Sequence, residues 1–376
     1  ELAVLSRPLG SKEVSAAHPT TARSWRHSGS RCSNLLNVEI EDWPTDWPSV
    51  PDSTIGPLAA HQKRGMQAIT DGFRHAGYLV QCRHEDAIVG CLPLVLVRGP
   101  IFGKFLVSLP YLNTGGVWAR DEQAGSKLID AACDLADKLD VKYLELRHET
   151  PVNHPKINFE RKDKVHMRLE LPATDDELNK SFKSKLRSQD KKSGTYDSTV
   201  HFGGQDVLSE FYDVFAHNMR DLGTPVFSRR LFEAILDQFG TDAELCVVRN
   251  DSKAIASGLI IHRNGVTEVP SASSLREYNR QGANMLMYRN LLARAIERKS
   301  HTFDFGRSSE DSGTYKFKAQ WGAKPYPATW QYYVRKGDPS EMRPDAGGKK
   351  RLVELWQKLP VWLTRMIGPS IVRGIP

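Results

Sequence analysis

The residue types best suited to chemistry are concentrated between positions 301 and 322, in the sequence HTFDFGRSSEDSGTYKFKAQWG. A short predicted strand at the start of this segment places Phe303 and Phe305 on one face and Asp304 on the other, the period of two that is typical of β structure. We expect this strand to end at Gly306. Polar side chains that follow a buried strand are a frequent location of chemistry in α/β proteins.

Cations and aromatic residues alternate after that strand. Arg307, Lys316 and Lys318 would together bind an anion, and Asp304 would act as a base or orient an amine. The groups predicted to stabilise a tetrahedral oxyanion electrostatically are Arg307, Tyr315 and Lys316. The structural alternative is that Asp304 and Arg307 form a buried ion pair that closes the strand.

Two stretches of this segment, FDFGRS and SGTYKFKAQWGA, resemble the C-terminal signature of FemAB-type acyltransferases. The resemblance extends over about residues 75–335 and is strongest in the last third. It implies an α/β fold of two GNAT-like domains in tandem, with mixed central sheets flanked by helices, and an enzyme that joins an amino acid to an amine on a cell-wall precursor. The most similar branch is the FemAB-related proteins found beside exosortase (PEP-CTERM) and exopolysaccharide genes. Trp321, which closes the signature, is either a core residue or a stacking platform.

The two halves of the chain repeat one order of predicted elements. Residues 78–147 read as strand, tight polar turn, strand, third strand, glycine loop, helix and final strand, and residues 244–305 repeat this order. Glu145 and Asp304 occupy matching places in the two final strands. The pattern indicates an internal duplication of one α/β unit, independently of the family resemblance.

The length of 376 residues is too great for one ordinary core, so two domains with flanking tails are expected. The predicted divisions are a disordered tail at 1–33, a first GNAT-like domain at 34–172, a second at 173–338, and a linker with a basic amphipathic helix at 339–376. The first segment lacks apolar periodicity and the apolar region of a signal peptide. The chain begins with Glu1 rather than Met, which leaves open whether further residues precede it.

A basic helix is predicted between the two domains. Thr174 and Glu177 have the spacing of a capping box for a helix that runs to about Lys192. Lys183 and Arg187 are four residues apart and share a helix face, where like charges repel unless an anion neutralises them. In FemAB-type proteins this linker similarly supplies Lys and Arg to a nucleotide-sugar pyrophosphate, and the resemblance gives that role to Lys183 and Arg187. The alternative is a solvated amphipathic face.

A glycine loop follows the third strand of the first half. Gly115 and Gly116 would let backbone amides approach a ligand, while Tyr111 and Asn113 offer a hydroxyl and an amide. Similar YxNxGG loops in FemAB-type proteins contact the precursor, which favours binding over the alternative of a plain turn.

The segment MRDLGTP, at residues 219–225, matches the exopolysaccharide-associated branch and ends a predicted amphipathic helix. Arg220 and Thr224 would line the cleft. The alternative is that Arg220 simply pairs with Asp221.

The glycine loop of the second half bears on the acyl donor. GNAT enzymes that use CoA need an R/Q-x-x-G-x-G/A loop whose amides bind the pyrophosphate at a helix N-terminus. Here Asn279 precedes Gly282 at minus three and Asn284 follows it at plus two, so the motif is degraded. We include Asn284 among the substrate-binding residues, expect no bound cofactor, and leave aminoacyl-tRNA and acyl-CoA both open as co-substrates.

Composition restricts the class of protein. Hydrophobic residues make up 40% and the mean hydropathy is −0.46, as expected of a soluble globular protein. A net charge of +7 and a pI near 9.0 favour polyanionic partners such as nucleotide sugars, tRNA or anionic lipid. The scattered cysteines predict buried free thiols and no metal or disulfide site: Cys32, Cys82, Cys91, Cys133 and Cys246.

The C-terminal segment from Lys349 carries leucines and Trp356 on one helical face, with cations around it, and Trp362 after Pro360. Basic, tryptophan-bearing amphipathic helices bind anionic membranes, and they also dock onto their own domain. Both outcomes are open from the sequence.

The favoured function is a cytoplasmic N-acyltransferase, at the inner face of the membrane, that acts on a nucleotide-sugar or lipid-linked glycan precursor of the cell wall or an exopolysaccharide, with tRNA as a further partner. One alternative is an acyl-CoA-dependent N-acyltransferase acting on an amino sugar. A second is a non-catalytic binder of an anionic glycan or RNA.

Overall fold

The computed structural model describes residues 36–42, 62–111, 114–338 and 349–376. The predicted tail at 1–33 and the first part of the predicted linker lie outside these residues, as does Asn113. The chain from Leu36 to Pro376 is one compact unit. We call residues 36–172 the first half and residues 173–338 the second half.

In each half three strands precede a helix and a final strand, as the sequence predicts. The strands are β1 (Leu36–Asp42), β2 (Ala76–His84), β3 (Ala87–Gly99), β4 (Gly103–Val107), β5 (Trp118–Ala119), β6 (Tyr143–His148), β7 (Phe159–Glu170), β8 (Ser198–Gly203), β9 (Ala243–Asn250), β10 (Lys253–Arg263), β11 (Val266–Ser274), β12 (Thr302–Ser309) and β13 (Lys324–Val334). The helices are α1 (Lys63–Phe73), α2 (Glu122–Lys138), α3 (Asp175–Ser181), α4 (Ser184–Ser193), α5 (Leu208–Leu222), α6 (Arg229–Phe239), α7 (Ala283–Glu297), α8 (Gly313–Gln320), α9 (Lys349–Lys358) and α10 (Val361–Val372).

The strands form a single mixed sheet whose order is symmetrical about its centre. The order is β1-β2-β3-β4-β6-β13-β7-β12-β11-β10-β9-β8, and β5 pairs with β3 beside this path. Read inward from each edge, β1 to β4 and β6 of the first half match β8 to β12 of the second. In both halves the innermost matched strands, β4 with β6 and β11 with β12, are parallel. This arrangement confirms the predicted α/β fold with a large mixed sheet, and its symmetry agrees with the predicted duplication.

The two halves exchange one strand each at the centre of the sheet. Strand β7 follows β6 in the chain but pairs with β12 of the second half. Strand β13 follows β12 but pairs with β6 of the first half, and β7 and β13 pair with each other. The predicted division after residue 172 therefore follows a strand that is hydrogen-bonded into the second half.

Apolar side chains cover both faces of the sheet. One face packs against α1, α5 and α6 in a core cluster that includes Phe105, Phe211 and Trp330 from both halves. On the opposite face, α2 covers the first half and α7 covers the second. On helix α1, Met66 and Ile69 are three residues apart and both are buried. The central strands thus lie between two layers of helices.

The predicted basic helix is two helices rather than one. Thr174 and Glu177 form the predicted capping box at the start of α3. Phe182 and Lys183 then adopt extended backbone angles before α4. The reason is that Phe182 is buried in the core of the second half, with its ring 5.4 Å from that of Trp321. Burial of one aromatic side chain overrides continued helix propensity at this point.

Strand β12 does not end at Gly306 as predicted. It continues to Ser309 through a bulge, because Asp304 pairs with Arg168 and Arg307 pairs with His166, which leaves one extra residue on β12. Gly306 has φ of +75° there, a backbone conformation that glycine adopts without strain. The bulge places both Asp304 and Arg307 at the centre of the sheet.

The C-terminal helices dock onto the second half. Val353 of α9 packs against Gly223, and Gly368 of α10 packs against Val226. Val372 belongs to the core cluster shared by both halves. One of the two outcomes left open by the sequence, docking onto the same chain, is therefore observed. Among the described helices none is long and apolar enough to cross a membrane.

Candidate active site

The parallel strands β11 and β12 separate soon after they begin to pair. They pair over only three residues of each strand, ending with Glu268 opposite Asp304. In the described chain no backbone hydrogen bond joins residues 269–274 to residues 305–309, and we call this gap the second-half opening. Strands β4 and β6 separate in the same way after Val107 and Glu145. Glu145 and Asp304 therefore occupy equivalent positions, at the last pair before each separation.

Asp304 is buried and held by an arginine from the first half. Its Oδ2 accepts a hydrogen bond of 2.8 Å from Nε of Arg168 on the exchanged strand β7, and its Oδ1 accepts one of 2.7 Å from the Gly306 amide. Arg168 also donates through both of its terminal nitrogens to Glu149. The alternative prediction of an ion pair between Asp304 and Arg307 is wrong, because the bulge turns Arg307 toward a different partner.

Lys318 is a buried cation beneath the bulge of β12. Its side chain on α8 donates to the carbonyl oxygens of Gly306 at 3.1 Å and Arg307 at 2.9 Å. Burial lowers the pKa of the Lys318 ammonium to about 8, against the opposing effect of the Asp304 charge. A lysine with a pKa this close to neutrality, beside a buried carboxylate, is typical of functional sites.

Lys316 and Lys318, which were predicted to bind one anion together, point to different sides of α8. The segment is helical from Gly313 to Gln320, and residues two apart on a helix point to different sides. Lys316 is exposed, whereas only 8% of Lys318 is accessible. Tyr315 is partly buried and packs against the core of the second half.

Arg307 lies over the indole ring of Trp330, with the guanidinium carbon 3.7 Å from the ring centroid. Trp330 pairs across the sheet with Arg147 of β6 and Arg161 of β7, whose guanidinium carbons lie 4.1 and 5.6 Å from the same ring. Arg147 pairs with Glu145 at 2.7 Å and Arg161 with Asp163 at 3.2 Å. No carboxylate partner of Arg307 is found among the described residues, and its buried Nε has no hydrogen-bond partner there.

The glycine loop of the first half is closed by its own contacts. The amides of Gly115 and Gly116 donate to the Arg147 carbonyl at 3.0 and 3.1 Å, so they are not directed at a ligand as predicted. The loop is tied across the sheet by Thr114, whose hydroxyl lies 3.0 Å from Nε2 of the buried His166. Tyr111 lies 3.2 Å from His75 through its hydroxyl and stacks on Phe73.

Lys183 and Trp321 line one cavity next to the end of β7. The cavity has a volume of about 470 Å³ and is lined also by Phe182 and Gly322. Trp321 is 2% exposed and packs against Phe182, so it is a core residue at the cavity wall. Arg187 is exposed one helical turn after Lys183.

Arg220 is engaged in holding the C-terminal segment. It donates to Asp221 at 2.7 Å and to the Leu359 carbonyl at 2.8 Å, at the end of α9. The alternative pairing with Asp221 is therefore present. Thr224 is half-buried, and its amide donates to the Met219 carbonyl at the end of α5.

The N-terminus of α7 is covered by α4. A Cβ placed on Gly282 would lie 3.0 Å from the Ser193 Cβ at the C-terminal end of α4, and the Tyr196 hydroxyl lies 3.5 Å from the Arg280 carbonyl. Asn284 lies in the first turn of α7 and is partly buried.

Several functional groups of this centre escaped sequence reasoning. Arg168, Arg147 and Arg161 lie on strands whose partners come from the other half of the chain, and Trp330 joins them from the exchanged strand β13. Strand β7 carries charged residues along most of its length, so its sequence does not single out Arg161 or Arg168.

Other chemistry is not found in the part of the chain that the structure describes. No group of three or more metal-ligating side chains is present among these residues. Four of the five cysteines are free and buried, as predicted, and Cys32 lies outside the described residues. Burial raises the pKa of Cys91 to about 12, so that thiol remains protonated.

Comparison with known proteins finds a family model that matches most of the second half. Residues 180–319 match the family model described as an acetyltransferase (GNAT) domain. No curated protein matches the chain.

Several solved structures are similar to this chain. A crystal structure of FemX is 15% identical, with a TM-score of 0.54, over 82% of this chain and 96% of that one. L-PGS from Bacillus licheniformis is 14% identical, with a TM-score of 0.47, over 74% of this chain and 86% of that one. A tandem GNAT protein from the clavulanic acid biosynthesis pathway is 14% identical, with a TM-score of 0.44, over 80% of this chain and 100% of that one. At this identity the FemX likeness shows a common fold, which extends beyond the matched residues 180–319 into the first half.

Proposed function

We propose that the chain is an N-acyltransferase that forms an amide between an activated acyl or aminoacyl group and an amine on a cell-wall or exopolysaccharide precursor. The observation that carries this proposal is the buried Lys318 ammonium next to Asp304, where β11 and β12 separate. The match of residues 180–319 to the acetyltransferase (GNAT) family model supports acyl transfer as the reaction class.

Lys318 supplies the positive charge for the reaction. Its ammonium has three N–H groups, of which two donate to the carbonyls of Gly306 and Arg307. We assign the third to the oxygen of the acyl carbonyl, which becomes an oxyanion when the amine attacks. A preorganised donor of this kind in a buried site stabilises the transition state more than it would in water.

Asp304 orients groups rather than accepting a proton. Both of its oxygens accept hydrogen bonds, from Arg168 and from the Gly306 amide, so both are already engaged in holding neighbouring groups. In the reaction a C–N bond forms, and the ester C–O bond of an aminoacyl-tRNA or the thioester C–S bond of an acyl-CoA breaks. The proton lost by the attacking amine passes to the leaving oxygen or sulfur.

The second-half opening is the proposed substrate position. Separated strands leave backbone N–H and C=O groups without ladder partners, and an extended ligand can bind to such an edge. Residues 269–274 and 305–309 provide these edges on either side of the Asp304 position. The cavity beside Lys183 and Trp321 would take a further part of the acceptor, with Lys183 near its anionic portion.

An aminoacyl-tRNA is the favoured acyl donor. Binding of a CoA pyrophosphate would use free amides at the N-terminus of α7, and α4 packs against this end of the helix through Ser193 and Gly282. The basic chain charge of +7 suits an RNA co-substrate and a nucleotide-sugar or lipid-linked acceptor. We place the reaction in the cytoplasm, at the inner face of the membrane.

The test is amide formation by the purified chain, followed by mass spectrometry of the acceptor. Donors are charged tRNA and acyl-CoA, each offered with a nucleotide-linked amino sugar or a nucleotide-linked muramyl peptide. We expect an acceptor heavier by one aminoacyl residue with charged tRNA. A product with acyl-CoA alone would establish the CoA-dependent alternative, and acceptor binding without any product would overturn the enzyme proposal in favour of a binder.

A further inference from the structure

The row of arginines around Trp330 carries more positive charge than its acids balance. Arg147, Trp330 and Arg161 lie side by side on β6, β13 and β7, and Arg307 covers the indole from β12. Glu145 and Asp163 pair with Arg147 and Arg161. Three guanidinium groups thus share two carboxylates, and the group over the indole has none among the described residues.

The environment of Arg307 disfavours its charge. Burial, together with the nearby charge of Arg147, lowers the pKa of the Arg307 guanidinium to about 9, so it still carries its charge at neutral pH. Its Nε is buried without a hydrogen-bond partner in the described chain. Buried polar groups are normally hydrogen-bonded, and a charged one without a partner calls for an explanation.

We propose that Arg307, stacked on Trp330 and flanked by Arg147 and Arg161, is a binding site for an oxyanion, a carboxylate or a phosphate, of the substrate. The indole fixes the plane of the guanidinium, which presents its N–H groups as a fork suited to two oxygens. An incoming anion would also offset the repulsion among the three arginines. The assignment to the acyl acceptor rests on the proposed function, but binding of the anion does not require turnover.

The site lies at the joint between the two halves. The strands β6, β13, β7 and β12 that supply it are adjacent at the centre of the sheet. Asp304 lies on the same strand, β12, three residues before Arg307. The Lys318 ammonium donates a hydrogen bond to the Arg307 carbonyl. An acceptor held by its anionic group at Arg307 would therefore have its amine close to the proposed reaction centre.

Isothermal titration calorimetry of the full chain tests this site with three probes: inorganic phosphate, uridine diphosphate and an N-acetylated amino acid. We expect Arg307→Gln to weaken binding of at least one probe by tenfold or more, and Arg307→Lys to weaken it less, because the charge remains while the fork is lost. Whichever probe binds more tightly to the native chain identifies phosphate or carboxylate as the source of the anion.

The matched control is Arg64→Gln, since Arg64 also lies over an aromatic ring, that of Phe239 at 5.4 Å, but pairs with Asp242 on the surface. This variant should bind as the native chain does. Equal affinities of the native chain and Arg307→Gln, with thermal unfolding unchanged, would overturn the site. If Arg307→Gln does not fold, the test is the affinity of Arg307→Lys for the same probes. An affinity equal to that of the native chain would also overturn the site. If the native chain forms no amide but binds a probe, and Arg307→Gln loses that binding, the proposed reaction is rejected and the anion site is retained.

A second inference concerns the outward face of the C-terminal helices. Four large apolar side chains there are more than half exposed, and they are Leu352 (67%), Leu355 (60%), Trp362 (66%) and Met366 (65%). The opposite sides of both helices are covered, since Val353 packs on Gly223 and Gly368 on Val226. The exposed side chains are therefore not needed to hold these helices against the rest of the chain.

The charge of this segment identifies what would cover it. Residues 349–376 contain six arginines and lysines and one acid, Glu354. Arg351 and Lys358 are exposed and have no carboxylate partner among the described residues. Exposed tryptophan and leucine beside unpaired cations match an anionic bilayer surface, where the rings enter the headgroup layer and the cations contact phosphates.

We infer that the outward face of α9 and α10, formed by these four apolar side chains with Arg351 and Lys358, binds the surface of an anionic membrane. A flotation assay with phosphatidylcholine vesicles, with and without phosphatidylglycerol, tests this. The native chain should float with the anionic vesicles only, and the double variant Trp362→Ser, Met366→Ser should lose most of this binding.

The control is Ile40→Ser, because Ile40 is also exposed (41%) but lies on the edge strand β1. It should bind as the native chain does. Failure of the native chain to float with anionic vesicles would overturn the membrane surface. So would a native dimer in solution that the double variant dissociates, since a second copy would then cover this face. Neither result bears on amide formation, which is measured with soluble acceptors.

Discussion

The parallel strands separate at equivalent positions in the two halves of the sheet, but backbone hydrogen bonds bridge the gap only in the first half of the described chain. After Val107 and Glu145, the first-half strands separate and the chain between them turns back to fill the gap. The Ser108 amide donates to the Glu145 carbonyl at 2.9 Å, and the Ser108 hydroxyl accepts from the Arg147 amide at 2.8 Å. After Asp304 the second-half strands separate in the same way, and no backbone hydrogen bond crosses the gap in the described residues.

The acids at the two openings differ accordingly. Glu145 pairs with Arg147, two residues along its own strand. Asp304 pairs with Arg168 from the other half, and the ammonium of Lys318 lies beneath the adjacent bulge. The two copies of the unit therefore differ. In the first, hydrogen bonds close the gap between the strands, and in the second the gap stays open beside Asp304 and Lys318.

The largest expected effect is that of Lys318→Met on turnover. Removing one preorganised donor from an oxyanion site costs about 10²- to 10³-fold in kcat, so we expect a loss of this order with KM nearly unchanged. Steady-state kinetics measures it. Lys316→Met is the matched control, since this lysine lies on the exposed side of the same helix, and its kcat should stay within about twofold. A comparable loss in both variants would remove the distinction between them.

Removing the charge of Glu145 should lower the free energy of unfolding more than removing the charge of Asp304. Glu145→Gln leaves the buried Arg147 without its 2.7 Å carboxylate, and breaking a buried ion pair of this kind costs about 3 kcal/mol of the free energy of unfolding or more. Asp304→Asn should cost less, because Arg168 keeps Glu149 as a partner. Urea denaturation of both variants checks the order. An equal or larger loss for Asp304→Asn would contradict the assignment of structural and functional acids.

The closure of the first-half loop is tested by Gly116→Ala. The added Cβ would lie 1.9 Å from Cδ2 of His148, and such overpacking costs about 1–3 kcal/mol. Gly313→Ala is the control, since nothing lies within 4 Å of a Cβ there, and it should change the free energy of unfolding by less than about 0.5 kcal/mol. Unchanged stability of Gly116→Ala would mean that the loop moves aside without cost.

The smallest effect is the pH dependence of turnover. The charged form of Lys318 is the active one, and its pKa is lowered to about 8, so kcat should fall to half its plateau near that pH and continue to fall above it. Lys318→Arg, if it folds and is active, should keep its kcat to higher pH because a guanidinium loses its proton later. A kcat that rises through this range would instead make Lys318 a base.

Much of the fold could be predicted from the sequence because its signals are local. Alternating apolar residues indicated the strand around Phe303 and Phe305, and the capping box at Thr174 was correctly located. The repeated order of elements and the equivalence of Glu145 and Asp304 also followed, since they depend only on position along the chain.

The candidate site could be predicted only in part because its contacts are not local. The pairing of Asp304 with Arg168 depends on the exchange of β7, which joins residues 136 positions apart. The choice of Lys318 over Lys316 depends on the helical conformation of α8. The signature segment contains both Asp304 and Lys318, but which of its cations is buried was decided by packing.

Hydrogen–deuterium exchange with a bound acceptor tests the central claim most directly. On binding of a nucleotide-linked muramyl peptide, we expect slower exchange of the amides in residues 269–274 and 305–309, at the second-half opening, and no change in residues 114–119 of the closed first-half loop. Slower exchange at the first-half loop, with the second-half opening unaffected by the bound acceptor, would contradict the account.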